Sequence, residues 1–337
     1  MNKKLIALAV AGACVAPTVM AQTANPVTLY GRIYVTAESV EADGGTAAQN
    51  GNTGNRTRIS DNASYLGVRG TEDLGGGLKA FFQLETAFSP DASSGSFANR
   101  NSGVGLQGGW GSVLLGRWDT PMKVTMTAVD PWGDLTLGDI TGAALDQGNF
   151  SRRETNSIQY WSPNWGGFAV RALYTANEGK TSTVNPNTIG GSLTYSKGPI
   201  YLAYSYEKHK DVSANTSEEG NAVAASFQMG GLKLAAQYGE YEQDRQSKDK
   251  SYMVGFTWNF SGKHAILGSY QNAEQGNADC DMYSVGYKYD WTKRTFFVAS
   301  YTEVDNSNGM NCNFGTNAFG SAGQDLKGFM AGIRHLF

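Results

Sequence analysis

The chain is built of short segments in which apolar and polar side chains alternate. In "SYMVGFTWNF", residues 251–260, apolar side chains occupy every second position from Tyr252 to Phe260. The same period of two runs through "PIYLAYSYEK", residues 199–208, and "VTLYGRIYVTAE", residues 27–38. Such alternation predicts β-strands that bury or expose one apolar face. Each segment has about ten residues, enough to cross a bilayer when the strand is tilted by about 45°.

The connections between these segments alternate between short and long. We predict seven short turns, at residues 73–77, 108–111, 162–167, 196–199, 229–231, 259–263 and 290–294. Eight longer polar loops lie between them, at residues 39–58, 89–98, 119–150, 177–188, 209–219, 243–250, 272–281 and 304–325. This pattern predicts an all-β fold of sixteen strands, with both ends of the chain on the short-turn side. Short periplasmic turns and long extracellular loops are typical of an antiparallel transmembrane β-barrel in the outer membrane.

The last ten residues, "GFMAGIRHLF", indicate how this sheet closes. Phe329, Ala331 and Ile333 occupy every second position, and the stretch ends on the aromatic Phe337. We expect this strand to pair with the first one, which leaves no sheet edge exposed. Phe337 would then face lipid at the periplasmic rim, where aromatic side chains collect. A soluble β-sandwich is the alternative, but the alternating loop lengths do not fit it.

The first residues, "MNKKLIALAVAGACVAPTVMA", predict a signal peptide. Lys3 and Lys4 form a positive start, an apolar core follows, and small residues precede a cleavage site after Ala21. We therefore predict a leader at residues 1–21 and a barrel at residues 22–337. A lipoprotein acylated at Cys14 is the alternative, although "AGAC" lacks the usual leucine three residues before the cysteine.

Composition narrows the class of partner. The formal net charge of −3 becomes more acidic once the two leader lysines are removed, which argues against nucleic acid. A mean hydropathy of −0.37 does not argue against a membrane, because each barrel strand is apolar on one side only. Beyond the leader the chain keeps Cys280 and Cys312, which in an exported protein suggest one disulfide. Two separate thiols are the alternative.

The sequence contains no motif that indicates catalysis. None of the three histidines, His209, His264 and His335, lies in an HExxH arrangement or near another histidine, and there is no G-x-S-x-G. "GVGLQG", residues 103–108, matches G-x-G-x-x-G but leads to a glycine turn instead of a helix. We expect no enzyme activity, no cofactor and no metal; an outer-membrane enzyme or adhesin is the weakest alternative.

Four stretches resemble the general porins of β-proteobacterial outer membranes. They are residues 64–85, 100–121 and 156–174 and the terminal "GIRHLF"; the turn 73–77 after "RGTEDL" is the most specific part. The resemblance implies a homotrimer with one water-filled pore per subunit, through which ions and small polar solutes diffuse passively. It also implies contact with outer-membrane lipids and lipopolysaccharide, and insertion by the barrel-assembly machinery with Phe337 as assembly signal.

The longest loop, residues 119–150, is expected to carry function. Loops longer than about 15 residues are usually functional or disordered. Thr120 can cap a helix that begins at Pro121 and ends before Pro131. By resemblance this is the third loop, folded inward to narrow the pore. Its acidic residues would then line the constriction: Asp119, Asp130, Asp134 and Asp139. Solvated loop acids that never meet the pore are the alternative.

The facing wall is expected to be basic. Alternation points Arg32, Arg171, Arg69 and Lys79 inward, and the resemblance adds Arg100 and Arg153 at positions where related chains place pore arginines. Arg100 is out of phase with its strand, so it needs a bulge or a loop position to reach the lumen. Tyr65 replaces an arginine that is common in related chains, which predicts only a slight preference for anions.

A substrate-selective channel with the same barrel is the main alternative to a passive pore. Such a channel would show an aromatic track near the constriction. Trp118, Trp132 and Tyr65 are the residues that could form one.

Overall fold

The computed structural model describes residues 27–44, 53–92, 96–133, 136–143, 150–213, 216–243, 248–307, 309–315 and 318–337. The predicted leader and Asp134 lie outside the described residues. No helix among these residues is long and apolar enough to cross a membrane. The elements are β1 Thr28–Gly44, β2 Thr53–Asp61, β3 Tyr65–Gly75, β4 Leu78–Ala87, β5 Ser102–Gly108, β6 Gly111–Asp119, α1 Pro121–Thr127, β7 Arg153–Trp161, β8 Phe168–Thr175, β9 Asn187–Lys197, β10 Ile200–Ser213, β11 Thr216–Met229, β12 Leu232–Gln243, β13 Asp249–Ser261, β14 His264–Gln275, β15 Ala278–Asp290, β16 Thr295–Asn306 and β17 Gln324–Leu336.

Two of these elements, β2 and β3, act as a single barrel strand. The upper part of β1 pairs with β2 and its lower part pairs with β3. Between them the chain bulges at residues 62–64, where Ala63 has a φ of 53°. Counting the two as one, the described chain forms a closed antiparallel barrel of sixteen strands. The predicted fold class is therefore confirmed.

The barrel closes where the last strand meets the first. β1 pairs with β17 from Arg32 opposite Leu336 up to Gly44 opposite Gln324. Beyond the strand end, Gly31 and Phe337 donate backbone hydrogen bonds to each other, both at 3.1 Å. A Cβ at Gly31 would lie 2.5 Å from the Phe337 ring, so the absence of a side chain lets the ring lie flat on the strand. Phe337 is exposed on the outer face of the barrel.

The two faces of each strand differ as the alternation predicts. On β10, β13 and β15 the side chains of Leu202, Val254 and Val285 are exposed on the outer face. Their neighbours Ala203 and Met253 point inward and are buried. An apolar outer face of this kind is stable against lipid hydrocarbon.

The turns agree with the sequence prediction better than the loops do. All seven short turns fall where they were predicted, with glycines in left-handed backbone such as Gly76 and Gly230. Four predicted long loops are shorter than expected, because only residues 45–52, 214–215, 244–248 and 276–277 separate the strands there. The strands continue beyond the apolar band with polar outer side chains, as in the 3.0 Å ion pair of Lys208 with Glu219. Cys280 consequently lies on β15 and not in a loop.

A charge on the lipid-facing side of a strand should destabilise the barrel. Val285 is 53% exposed near the middle of β15. We expect Val285→Lys to lower the free energy of unfolding by about 2–4 kcal/mol, because an ammonium group near the bilayer centre loses its hydration. Urea unfolding in lipid vesicles would measure this. The matched Val285→Leu should stay within about 0.5 kcal/mol of the unchanged protein; equal effects of the two substitutions would place this face outside the lipid.

Candidate functional site

Residues 120–152 connect β6 to β7, and the described parts of this loop, 120–133, 136–143 and 150–152, lie inside the barrel. The loop starts with the predicted helix α1, whose N-cap Thr120 accepts a hydrogen bond from the Lys123 backbone N–H at 3.2 Å and whose first position is Pro121. Met122 and Met126 on this helix are fully buried. They belong to one apolar cluster with small inward residues of β10 and β11: Ala203, Ala222 and Ala224. The small wall side chains leave room for the helix.

The rest of the loop follows the same side of the barrel. The indole Nε1 of Trp132 donates to Ser269 Oγ at 2.8 Å, and a Cβ at Gly286 would lie 2.9 Å from the indole ring. Further on, Gln271 of β14 donates to the carbonyl of Gly138 at 2.8 Å. The loop is thus fastened to the wall over β10 to β15. Trp132 is buried there, which removes it from the expected aromatic track.

The aspartates of this loop stabilise its backbone. Asp130 is buried and its carboxylate accepts from the backbone N–H groups of Trp132, at 2.9 Å, and Ile140, at 3.4 Å. Asp139 is buried as well and accepts from the backbone N–H of Thr141 at 2.8 Å. Irregular backbone without a ladder needs such acceptors, and a short carboxylate supplies them. The expectation that Asp130 and Asp139 face the pore is therefore wrong.

Asp119 ends β6 and is held by the basic wall. Its Oδ1 lies 3.1 Å from Arg153 Nε and 3.6 Å from Lys123 Nζ. Its Oδ2 accepts from Asn101 Nδ2 at 2.7 Å. The structure therefore brings Asp119 and Arg153 together on one side of the lumen, whereas the sequence placed them on opposing walls.

On the same side of the lumen, Tyr65 contacts two of the predicted arginines. Tyr65 stands directly opposite Arg32 in the ladder of β1 with β3. The Tyr65 ring centroid lies 4.9 Å from Arg32 Cζ and 5.0 Å from Arg100 Cζ, the range of cation–π contacts. Arg32 also donates to the carbonyl of Ala63 at 2.6 Å, so the bulge between β2 and β3 positions it. Tyr65 therefore keeps two guanidinium groups in place where a third arginine was expected.

Arg100 reaches the lumen because it precedes its strand. It lies in the connection before β5, where strand phase does not fix its direction. Its backbone N–H donates to the carbonyl of Glu85 at 3.0 Å, and its Nε lies 2.6 Å from Glu85 Oε1. Sequence reasoning missed Glu85 as the anchor, although the residue lies on the inward face of β4.

Three further arginines stack on aromatic rings. Arg69 lies over Tyr30 at 4.8 Å, Arg171 over Trp161 at 5.1 Å, and Arg334 over Phe296 at 4.1 Å. None of these arginines lies within 4.0 Å of a carboxylate in the part of the chain that the structure describes. A neutral ring stabilises a guanidinium without cancelling its charge. Arg334 was missed from sequence, although it pairs with the inward Tyr34.

Cys280 and Cys312 form a disulfide, with their Cα atoms 6.2 Å apart. It joins β15 to the connection between β16 and β17. Phe314 in that connection belongs to the same buried cluster as Leu137 of the inward loop and Met330 of β17. The disulfide therefore fastens an outer loop against the wall that also carries the inward loop.

Comparison with known proteins gives consistent relatives. Residues 7–309 match the family model described as Gram-negative porin. The chain is 32% identical to the outer membrane porin protein 32 of Delftia acidovorans, with all of both chains covered. It is 30% identical to the major outer membrane protein P.IB of Neisseria meningitidis serogroup B, over 92% of this chain and 96% of that one. Among solved structures it resembles an anion-selective porin from Comamonas acidovorans, with a TM-score of 0.80, 28% identity, and 93% of this chain and 100% of that chain covered.

Releasing the inward loop should widen the passage through the barrel. Trp132→Ala removes the ring that packs on Gly286 and the hydrogen bond to Ser269; burial of a tryptophan is worth about 3–5 kcal/mol. We expect larger and noisier single-channel conductance in planar bilayers. Trp110→Ala is the matched control, since Trp110 is 45% exposed in the turn between β5 and β6. An unchanged conductance in Trp132→Ala would show that this anchor does not hold the loop.

Proposed function

Because the chain belongs to the Gram-negative porin family, we propose that this outer-membrane channel passes small hydrophilic solutes by diffusion and prefers anions over cations. The observation that carries the anion preference is the set of arginines stacked on rings around one side of the lumen. Arg69, Arg171 and Arg334 keep their full charge there. The proposal involves no catalytic step.

The charge balance of the constriction supports this preference. Asp130 and Asp139 are turned into the loop, and Asp119 is in contact with Arg153 and Lys123. Among the described residues, these three loop aspartates therefore leave little free negative charge to oppose the arginines. Fixed charges of one sign in a narrow, water-filled passage concentrate counter-ions and repel ions of the same sign. The solved relative that is named an anion-selective porin is consistent with this.

A substrate-selective channel remains the second candidate. The rings of Trp118 and Trp161 lie 5.3 Å apart on the inner wall, and Arg171 stacks on the second of them. Such a pair could hold the apolar face of a sugar. Liposome swelling with sugars of graded size separates the two: rates that fall with size and do not saturate support diffusion, and saturation by one sugar supports selectivity.

We also propose that the mature chain, residues 22–337, assembles as a homotrimer after removal of residues 1–21. The apolar outer face would contact membrane lipid, lipopolysaccharide and neighbouring subunits, and Phe337 would be read by the barrel-assembly machinery. N-terminal sequencing of protein from outer membranes should begin at Gln22. Analytical ultracentrifugation in detergent should give about three chains per particle, and a monomer would contradict the assembly.

Removing one stacked arginine should weaken the anion preference. A unit charge about 8 Å from a permeating ion contributes about 0.5 kcal/mol in water, with opposite sign for chloride and potassium, so it changes the ratio of their permeabilities by roughly a factor of five. We expect Arg171→Gln to lower the chloride-to-potassium permeability ratio by about that factor. The ratio follows from the reversal potential under a KCl gradient in a planar bilayer.

Lys180→Gln is the matched control, because it removes the same charge from an exposed connection between β8 and β9. Its permeability ratio should equal that of the unchanged protein. A cation-selective unchanged protein, or equal effects of both substitutions, would contradict the proposed role of the arginine wall.

A further inference from the structure

A histidine and three glutamates meet inside the barrel wall, beside the end of the inward loop. Carboxylate oxygens of Glu154 on β7 and Glu207 on β10 and a ring nitrogen of His209 all lie within 4.8 Å of one another. His209 Nε2 is 2.7 Å from Glu207 Oε1. On its other side, Nδ1 is 3.3 Å from Oε2 of Glu218, a residue of β11. Three strands thus contribute to one cluster.

The cluster is enclosed by the inward loop. Glu207 is 0% exposed and His209 is 1% exposed. Phe150, at the end of the loop, stacks on the His209 ring with centroids 4.7 Å apart. The partners of Glu207 on the two neighbouring strands are glycines, Gly190 and Gly220. A Cβ at Gly190 would lie 3.4 Å from Glu207 Cγ, and a Cβ at Gly220 would lie 3.0 Å from the Phe150 ring, so the glycines make room for both of these side chains.

The charges in this space do not balance. Three carboxylates share it with the guanidinium of Arg152, which lies 2.5 Å from Glu154. Oε2 of Glu207 has no hydrogen-bond partner among the described residues, although it is buried. Burying an ionised carboxylate without a partner costs several kcal/mol, so such groups are normally paired or bind a metal. The arrangement lacks positive charge at the point where the ligand atoms converge.

We propose that Glu154, Glu207 and His209 bind a divalent transition-metal ion of the zinc class. An imidazole nitrogen with carboxylate oxygens suits Zn²⁺, whereas Ca²⁺ and Mg²⁺ prefer oxygen ligands alone. Glu218 completes the site by accepting the Nδ1–H of His209, which leaves Nε2 as the neutral ligand atom. Metal-bound histidines almost always have such a second partner.

A cavity gives a metal ion access to the cluster. This cavity of about 290 Å³ is lined by Arg152, Glu154, Thr188 and His209 and reaches two exposed residues, Glu178 in the connection between β8 and β9 and Lys210 on β10. The bound cation would link β7 to β10 next to the end of the inward loop. It would also add positive charge on the extracellular side of the arginine wall.

Metal binding can be measured on the whole protein in detergent. The protein must carry no histidine tag, because the tag would bind zinc itself. Metal is first removed with EDTA, and the protein is then dialysed against buffered Zn²⁺. Inductively coupled plasma mass spectrometry should then find about one zinc ion per chain. Titration calorimetry should show binding that millimolar Ca²⁺ or Mg²⁺ does not compete away.

Variants test the residue assignment. His209→Asn should abolish the bound zinc, and Glu218→Gln should weaken binding by about 10–100-fold, as loss of an outer partner does. His264→Asn and His335→Asn remove the other two histidines and should leave binding unchanged. In planar bilayers, Zn²⁺ should shift the reversal potential toward anions in the unchanged protein and not in His209→Asn.

Two outcomes would overturn the assignment. One is an unchanged protein that takes up no zinc, in which case protons balance the carboxylates. The other is zinc uptake that is the same in His209→Asn. Heat-dependent gel migration would confirm that each variant is folded, and Glu154→Gln replaces His209→Asn if the latter does not fold.

Discussion

Every feature of this protein depends on pairing all backbone N–H and C=O groups where no water can reach them. In lipid hydrocarbon an unpaired strand edge is too costly to persist, so the sheet has to close on itself. The ladder of β1 with β17 provides this closure, and the hydrogen bonds between Gly31 and Phe337 extend it to the last residue. Only a closed sheet gives the strands a separate inner face, on which the loop and the arginines are arranged.

The inner face of the barrel has two halves that differ in their side chains. From β10 to β15 the inward side chains include alanines such as Ala203, Ala222 and Ala224, and the loop between β6 and β7 packs against them. From β1 to β8 they include aromatic and basic residues, as at Tyr65 and Arg171. The open passage lies between these halves, so its size is set by packing on one side and its charge by the other.

Alternation predicted the strands because most of them separate lipid from water. Residues 263–273 alternate poorly in the sequence, because on β14 the inward Ala265 and Leu267 are buried, so both faces of that part of the strand are apolar. Alternation also placed Arg32 and Arg171 inward. It could not show whether a loop carboxylate such as Asp130 serves solvent or the nearby backbone, since that depends on how the loop folds. The cluster around His209 was not predicted because Glu154 comes from β7, which two further strands separate from β10 in the sequence.

The stacking of arginines on rings affects how the positive charge of the inner wall depends on pH. Where an arginine is paired with a carboxylate, the net charge of the pair rises when that carboxylate is protonated in acid. Arginine itself remains protonated far above neutral pH, and the side chains of phenylalanine and tryptophan do not titrate. For Arg171 on Trp161 and Arg334 on Phe296, the positive charge is therefore the same in acidic and in neutral surroundings.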